Sequence, residues 1–140
     1  MPGDLSLMLP TDRADLLARV QALLQQCRGP QAAIRMVDLF ALATGDVVIP
    51  GKRYDQTRIV RSLIDQLRRQ GCPIGHIGGS GGGYFWADDP ADLDPTIRWF
   101  HLRALASLRQ ERALRRVPFA QVLQQHALDF DAQPDDPIPP

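Results

Sequence analysis

Apolar positions recur along this chain at two periods, and the switches between them outline its elements. Leu16, Val20, Leu23, Leu24 and Cys27 fall on one face at helical spacing. That predicts a helix capped by Thr11 or Asp12 and ended by Arg28-Gly29-Pro30. A short extended stretch is expected at 32–35. A second helix is expected from Met36 to Thr44, with Val37, Phe40 and Ala41 inward and Gly45 closing it. Ile49-Pro50-Gly51 marks a turn. The strongest helical pattern spans 54–70. Its apolar stripe is Ile59, Val60, Leu63, Ile64 and Leu67, its polar face carries Gln56, Thr57, Arg58, Arg61, Gln66, Arg68 and Arg69, and Gly71 stops it.

The period then changes to two. Pro73-Ile74-Gly75-His76-Ile77 reads as a strand, and Tyr84-Phe85-Trp86-Ala87 as its return, with Phe85 toward the core. Between them Gly78-Gly79-Ser80-Gly81-Gly82-Gly83 has too little side chain for a strand interior and reads as a flexible hairpin tip. A long helix is expected from Pro95 to Arg116, with a main stripe of Ile97, Phe100, Ala104, Leu105 and Leu108 and with Trp99 and Leu102 off it. Pro118 opens a last short helix through Phe119, Val122, Leu123, His126 and Phe130. The expected class is α+β, mostly helical. Residues 1–10 form a flexible arm, 11–90 a first domain, 91–130 the C-terminal helices and 131–140 a disordered, acidic, proline-rich tail.

Length and composition narrow the function classes. At 140 residues the chain accommodates one domain of about 100 residues plus tails. No apolar run approaches the roughly 20 residues of a membrane span, and Met1-Pro2-Gly3-Asp4 shows no secretion signal. Cys27 and Cys72 form no CxxC pair and read as reduced residues of a cytoplasmic protein. Catalytic patterns fail on context. Gly78-Gly79-Ser80-Gly81-Gly82 spells G-x-S-x-G, but a nucleophile elbow needs a helix after the serine, and an aromatic strand follows here. His76, His101 and His126 lack metal spacing, and no phosphate-loop or dinucleotide pattern is complete. No enzyme activity, metal or cofactor is expected.

The formal net charge is zero, which by itself argues against a nucleic-acid partner, but the charge is unevenly placed. Residues 47–87 hold six cations (Lys52, Arg53, Arg58, Arg61, Arg68, Arg69) against Asp55 and Asp65, six minus two or plus four. Residues 97–117 hold six arginines against Glu111, six minus one or plus five. Acids gather at 88–94 and at 129–136, and the tail that holds the second group is placed to screen a basic face. Local potential, not the sum, decides where a polyanion docks.

The order helix, extended piece, helix, turn, basic helix, hairpin suits a DNA reader, because a major groove about 12 Å wide admits one helix held outward by two others. The run from Thr57 through Leu67-Arg68-Arg69-Gln70-Gly71-Cys72-Pro73-Ile74, followed by Gly82-Gly83-Tyr84-Phe85-Trp86-Ala87, resembles the biotin-repressor type of winged helix-turn-helix. The continuation through Asp88-Asp89-Pro90 and a long arginine-rich helix is similar to small phage and prophage winged-helix proteins. The resemblance covers roughly residues 12–116. It implies a β-hairpin wing and binding of double-stranded DNA with helix 54–70 in the major groove, as a transcriptional regulator or a replication or recombination accessory factor. It implies groove contacts by Gln56, Thr57, Arg58 and Arg61, phosphate contacts by Lys52, Arg53 and Tyr54, and a wing tip at Ser80. Two features depart from it: the turn at 46–52 is long, and the wing carries no Lys or Arg. Residues 95–128 are expected to supply a homodimer seam. The alternative is a non-enzymatic winged-helix adaptor that binds a protein partner.

Overall fold

The structure is a computed structural model that describes residues 13–52, 55–79 and 81–132. Among them are five α-helices and one two-stranded antiparallel hairpin, in the order α1 (Arg13–Gln25), α2 (Met36–Thr44), α3 (Arg58–Arg69), β1 (Ile74–Ile77), β2 (Gly83–Trp86), α4 (Asp94–Arg115) and α5 (Phe119–Ala132), with 3-10 turns at Pro30–Ala32 and Pro90–Leu93. The chain divides into two compact units after Leu93. The mostly helical α+β composition agrees with the periodicity.

In the first unit, three helices pool their apolar stripes. Val20 and Leu24 of α1, Leu39, Phe40 and Ala43 of α2, and Val60, Leu63, Ile64 and Leu67 of α3 are buried together with Ile74. Fully burying such a side chain stabilises by about 1.5–3 kcal/mol. The phase of α2 differs from expectation: Leu39 is buried, whereas Val37 is 45 % exposed. Gly45 ends α2 at φ 78 with its N–H on the Ala41 carbonyl. Gly71, at φ 94, ends α3 with its N–H on the Arg68 carbonyl, while the Cys72 N–H reaches the Leu67 carbonyl, the paired bonds that close a helix through a left-handed glycine.

The hairpin pairs Ile74 with Trp86, Gly75 with Phe85, His76 with Tyr84 and Ile77 with Gly83. The other edge of β2 is also occupied. Ile34 and Tyr84 exchange both backbone bonds at 2.8 Å, Gly29 donates to the Trp86 carbonyl and Trp86 to the Cys27 carbonyl. The predicted extended stretch therefore acts as a third, minimal strand. Two glycines make this packing feasible. A Cβ on Gly83 would lie 2.2 Å from the Ile34 carbonyl oxygen, and one on Gly75 would lie 2.3 Å from the Phe85 ring, which is fully buried.

The second unit is an αα-hairpin. Arg116 makes the turn at φ 54, the one positive φ of a non-glycine among the described residues, a geometry that costs roughly 1–2 kcal/mol for an L side chain. Val122 is buried, with Leu105, Leu108 and His126 partly so. The expected burial of Ile97, Phe100 and Ala104 does not occur; Ile97 is 59 % exposed. At 1.5 Å per residue α5 is about 12 Å shorter than α4 and leaves its first turns uncovered. The last helix is longer than expected and takes in Asp131 and Ala132; residues 1–12 and 133–140, where the arm and most of the tail were expected, lie outside the described residues.

Candidate nucleic-acid interface

α3 begins at Arg58, not at 54, because Asp55 builds a turn before it. One Asp55 carboxylate oxygen accepts from the Thr57 N–H at 2.9 Å and from the Thr57 hydroxyl at 2.5 Å, and the Asp55 carbonyl accepts from the Arg58 N–H. Such Asx turns offer the backbone an alternative to helix. The Thr57 hydroxyl in turn accepts from Arg61 Nε at 3.1 Å, and the second Asp55 oxygen lies 3.4 Å from the same nitrogen. The two Thr57 bonds, then the charges of Arg61 and Arg58, hold the Asp55 carboxyl below the ordinary aspartate range.

Two of the expected groove residues make internal hydrogen bonds here. Thr57 is buried and its hydroxyl is spent on Asp55 and Arg61. Gln56 spans the long loop before α3: its Nε2 donates to the Ile49 carbonyl at 2.7 Å and its Oε1 accepts from the Ile49 N–H at 3.1 Å. Both amide atoms thus hold the 46–52 loop. Arg58 and Arg61 remain. At 3.6 residues per turn Arg58 stands opposite Leu67, with Arg61, Asp65 and Arg69 along the same outward face. The Arg58 side chain makes no hydrogen bond or ion pair among the described residues. Lys52 is exposed at the end of the loop. Arg53, Tyr54 and Ser80 lie outside the described residues.

Two side chains unforeseen as parts of the site complete it. Arg13, in the first turn of α1, donates to Ser62 Oγ at 3.1 Å and Gln66 Oε1 at 3.3 Å on the flank of α3. Arg68 turns the other way, into the hairpin. Its Nε donates to the Ile74 carbonyl at 2.9 Å, its Nη2 to His76 Nδ1 at 3.1 Å, and its guanidinium lies 5.8 Å from the centre of the Tyr84 ring. Burial, then the Arg68 charge, lowers the His76 pKa and keeps that ring neutral and able to accept. Arg68 is a brace between α3 and β1. Asp55-x-Thr57 ahead of a helix was a readable turn signal; Arg13 had none.

The hairpin tip offers backbone rather than charge. Nothing lies within 4 Å of where a Cβ would stand on Gly78, Gly79 or Gly81, and Ile77 is 40 % exposed beside them. No three His, Cys, Asp or Glu residues gather among the described residues. Both cysteines are free and partly buried, and burial raises their pKa values. No helix among the described residues is long and apolar enough to cross a membrane. Set against known protein families, curated proteins and solved structures, the chain has no match.

Proposed function

We propose that this chain is a winged helix-turn-helix protein that binds double-stranded DNA without enzymatic activity, with α3 in the major groove, as a regulator of transcription or an accessory factor of replication or recombination. The observation that carries this reading is the outward face of α3. Arg58 and Arg61 project from the side opposite the buried Val60–Leu67 stripe, on a helix locked from behind by α1 and α2 and at its end by Arg68. An arginine so placed reads guanine edges or binds phosphate. The hairpin following α3 at once, braced to it and paired on both edges of β2, supports the winged form.

The test is fluorescence anisotropy with duplex DNA from the chain's own genomic neighbourhood, across salt. Tight binding that weakens steeply with salt and is reduced in Arg58→Ala/Arg61→Ala supports the reading. No binding at low salt overturns it. One feature favours the adaptor instead. Asp65 sits in the middle of the α3 face and would repel phosphate, and an adaptor would lose a protein partner, not DNA, when Arg58 and Arg61 are removed. Exposed Ile97, Phe100, Leu114 and Leu128 support a homodimer through 95–128.

A further inference from the structure

Most arginines among the described residues are held internally. Arg19 holds the Ala43 carbonyl, Arg28 pairs with Asp88, Arg35 with Asp38, Arg61 with Asp55 and Arg115 with Glu111, while Arg103 stacks on Trp99. Three whose side chains make no hydrogen bond or ion pair among the described residues converge at one place: Arg109, Arg112 and Arg116 line a single surface groove of about 600 Å³ at the turn between α4 and α5. Its other walls are Ala113, Val117 and Pro118, so no carboxylate faces it. The nearest acid in sequence, Glu111, is occupied by Arg115 and His126.

We infer that this groove is a second phosphate site, which takes the phosphodiester backbone of the same DNA. Helix spacing puts Arg109 and Arg112 about 60° apart on one face, and the left-handed turn at Arg116 brings the third guanidinium to them. A cation in the last turn of a helix is favoured by its dipole, which accounts for a basic residue at 112. It does not account for Arg109, a turn further back, or for arginine at a left-handed position where glycine is usual. Three unpaired forks with no acid among them suit an oxyanion with several acceptor oxygens. The groove walls are small and aliphatic and hold no aromatic anchor of the kind protein interfaces use. The contact is to backbone only and carries no base information.

This inference rests on the DNA-binding reading, and the test separates the two. Wild type, Arg58→Ala/Arg61→Ala, Arg109→Gln/Arg112→Gln/Arg116→Gln and the corresponding triple lysine variant are titrated with a labelled random-sequence 30-base-pair duplex from 50 to 300 mM NaCl, with circular dichroism as the folding check. Removal of three phosphate contacts makes the log–log salt slope shallower by about 2.7, at 0.9 per contact, and lowers affinity at 50 mM at least tenfold. The lysine triple, which keeps the charge, holds the wild-type slope. A folded glutamine triple with wild-type slope and affinity overturns the groove and leaves α3 standing. Absence of wild-type binding overturns the DNA reading itself. Binding of polyglutamate but not duplex through these arginines replaces DNA by an acidic protein.

Discussion

Arg68→Met is the substitution that most directly tests how the hairpin is held. It keeps the aliphatic stem and deletes the guanidinium, and with it the bonds to the Ile74 carbonyl and His76 Nδ1 and the contact with Tyr84. A hydrogen bond from a charged group contributes about 1.5–3 kcal/mol, and a cation over an aromatic ring about 0.5–1 kcal/mol. The three share one group and do not add fully, so the expected loss is about 2–3 kcal/mol. For a unit of this size that lowers Tm by at least about 8 °C. The assay is urea unfolding followed by Trp86 fluorescence in a Trp99→Phe background, which leaves one tryptophan, reporting on β2. Amide exchange at His76 and Tyr84 should accelerate. A loss below about 0.5 kcal/mol, the range of surface substitutions, would refute the brace. So would an intact stability with a salt slope shallower by about 0.9, because Arg68 would then be a phosphate contact.

Gly83→Ala should cost more than about 2 kcal/mol, because its Cβ meets the Ile34 carbonyl and the strand pair must part; a thermal melt matching wild type would sink the proposed close approach. Asp55→Asn keeps an acceptor for Thr57 but removes the charge beside Arg61. A half-exposed pair contributes about 0.2–1 kcal/mol, so affinity for duplex should rise up to about fivefold, and a fall in affinity would mean that Asp55 orients Arg61 for binding. The His76 pKa is lowered in the folded state, so on acidification the unfolded chain takes up its proton first. The His76 contribution to stability is therefore present above the ordinary histidine value of about 6.5 and is lost as pH falls through the folded value. His76→Gln should flatten that part of the stability–pH curve, and an unchanged curve would exclude His76 as its source.

What could be read from the chain was whatever burial on one face enforces. The α3 stripe from Val60 to Leu67, the left-handed stop at Gly71 and the return of β2 through Phe85 all follow from period and turn chemistry, and each is observed. Misread were the places where polar groups compete for the backbone or where a partner surface is missing. Gln56 and Thr57 have the residue types of groove readers; the hydroxyl closing on Asp55 follows a local Asp-x-Thr spacing, but the amide closing on Ile49 depends on where the loop passes, which no spacing encodes. Val37 and Leu39 differ by two positions on a nine-residue helix, too short for periodicity to fix its phase. Ile97 and Phe100 have a helical stripe, but α5 does not extend far enough to cover it.

The zero net charge conceals two basic surfaces of unlike character. On α3, Arg61 is paired with Asp55 and the outward face includes Asp65, so part of any attraction to phosphate is cancelled before DNA arrives. In the α4–α5 groove no carboxylate lines the wall and all three guanidinium groups lack ion pairs. Counterion release scales with the phosphates neutralised and is indifferent to sequence, whereas discrimination needs a positioned donor at a base edge. On the proposed reading the two surfaces therefore divide the work. The groove supplies most of the salt-dependent affinity for any duplex, and α3, with Arg61 held by Asp55 and Thr57, supplies the preference for one sequence over another. Arg58→Ala/Arg61→Ala should then narrow the affinity gap between a target and random duplex more than it changes the salt slope, and the groove triple should do the reverse.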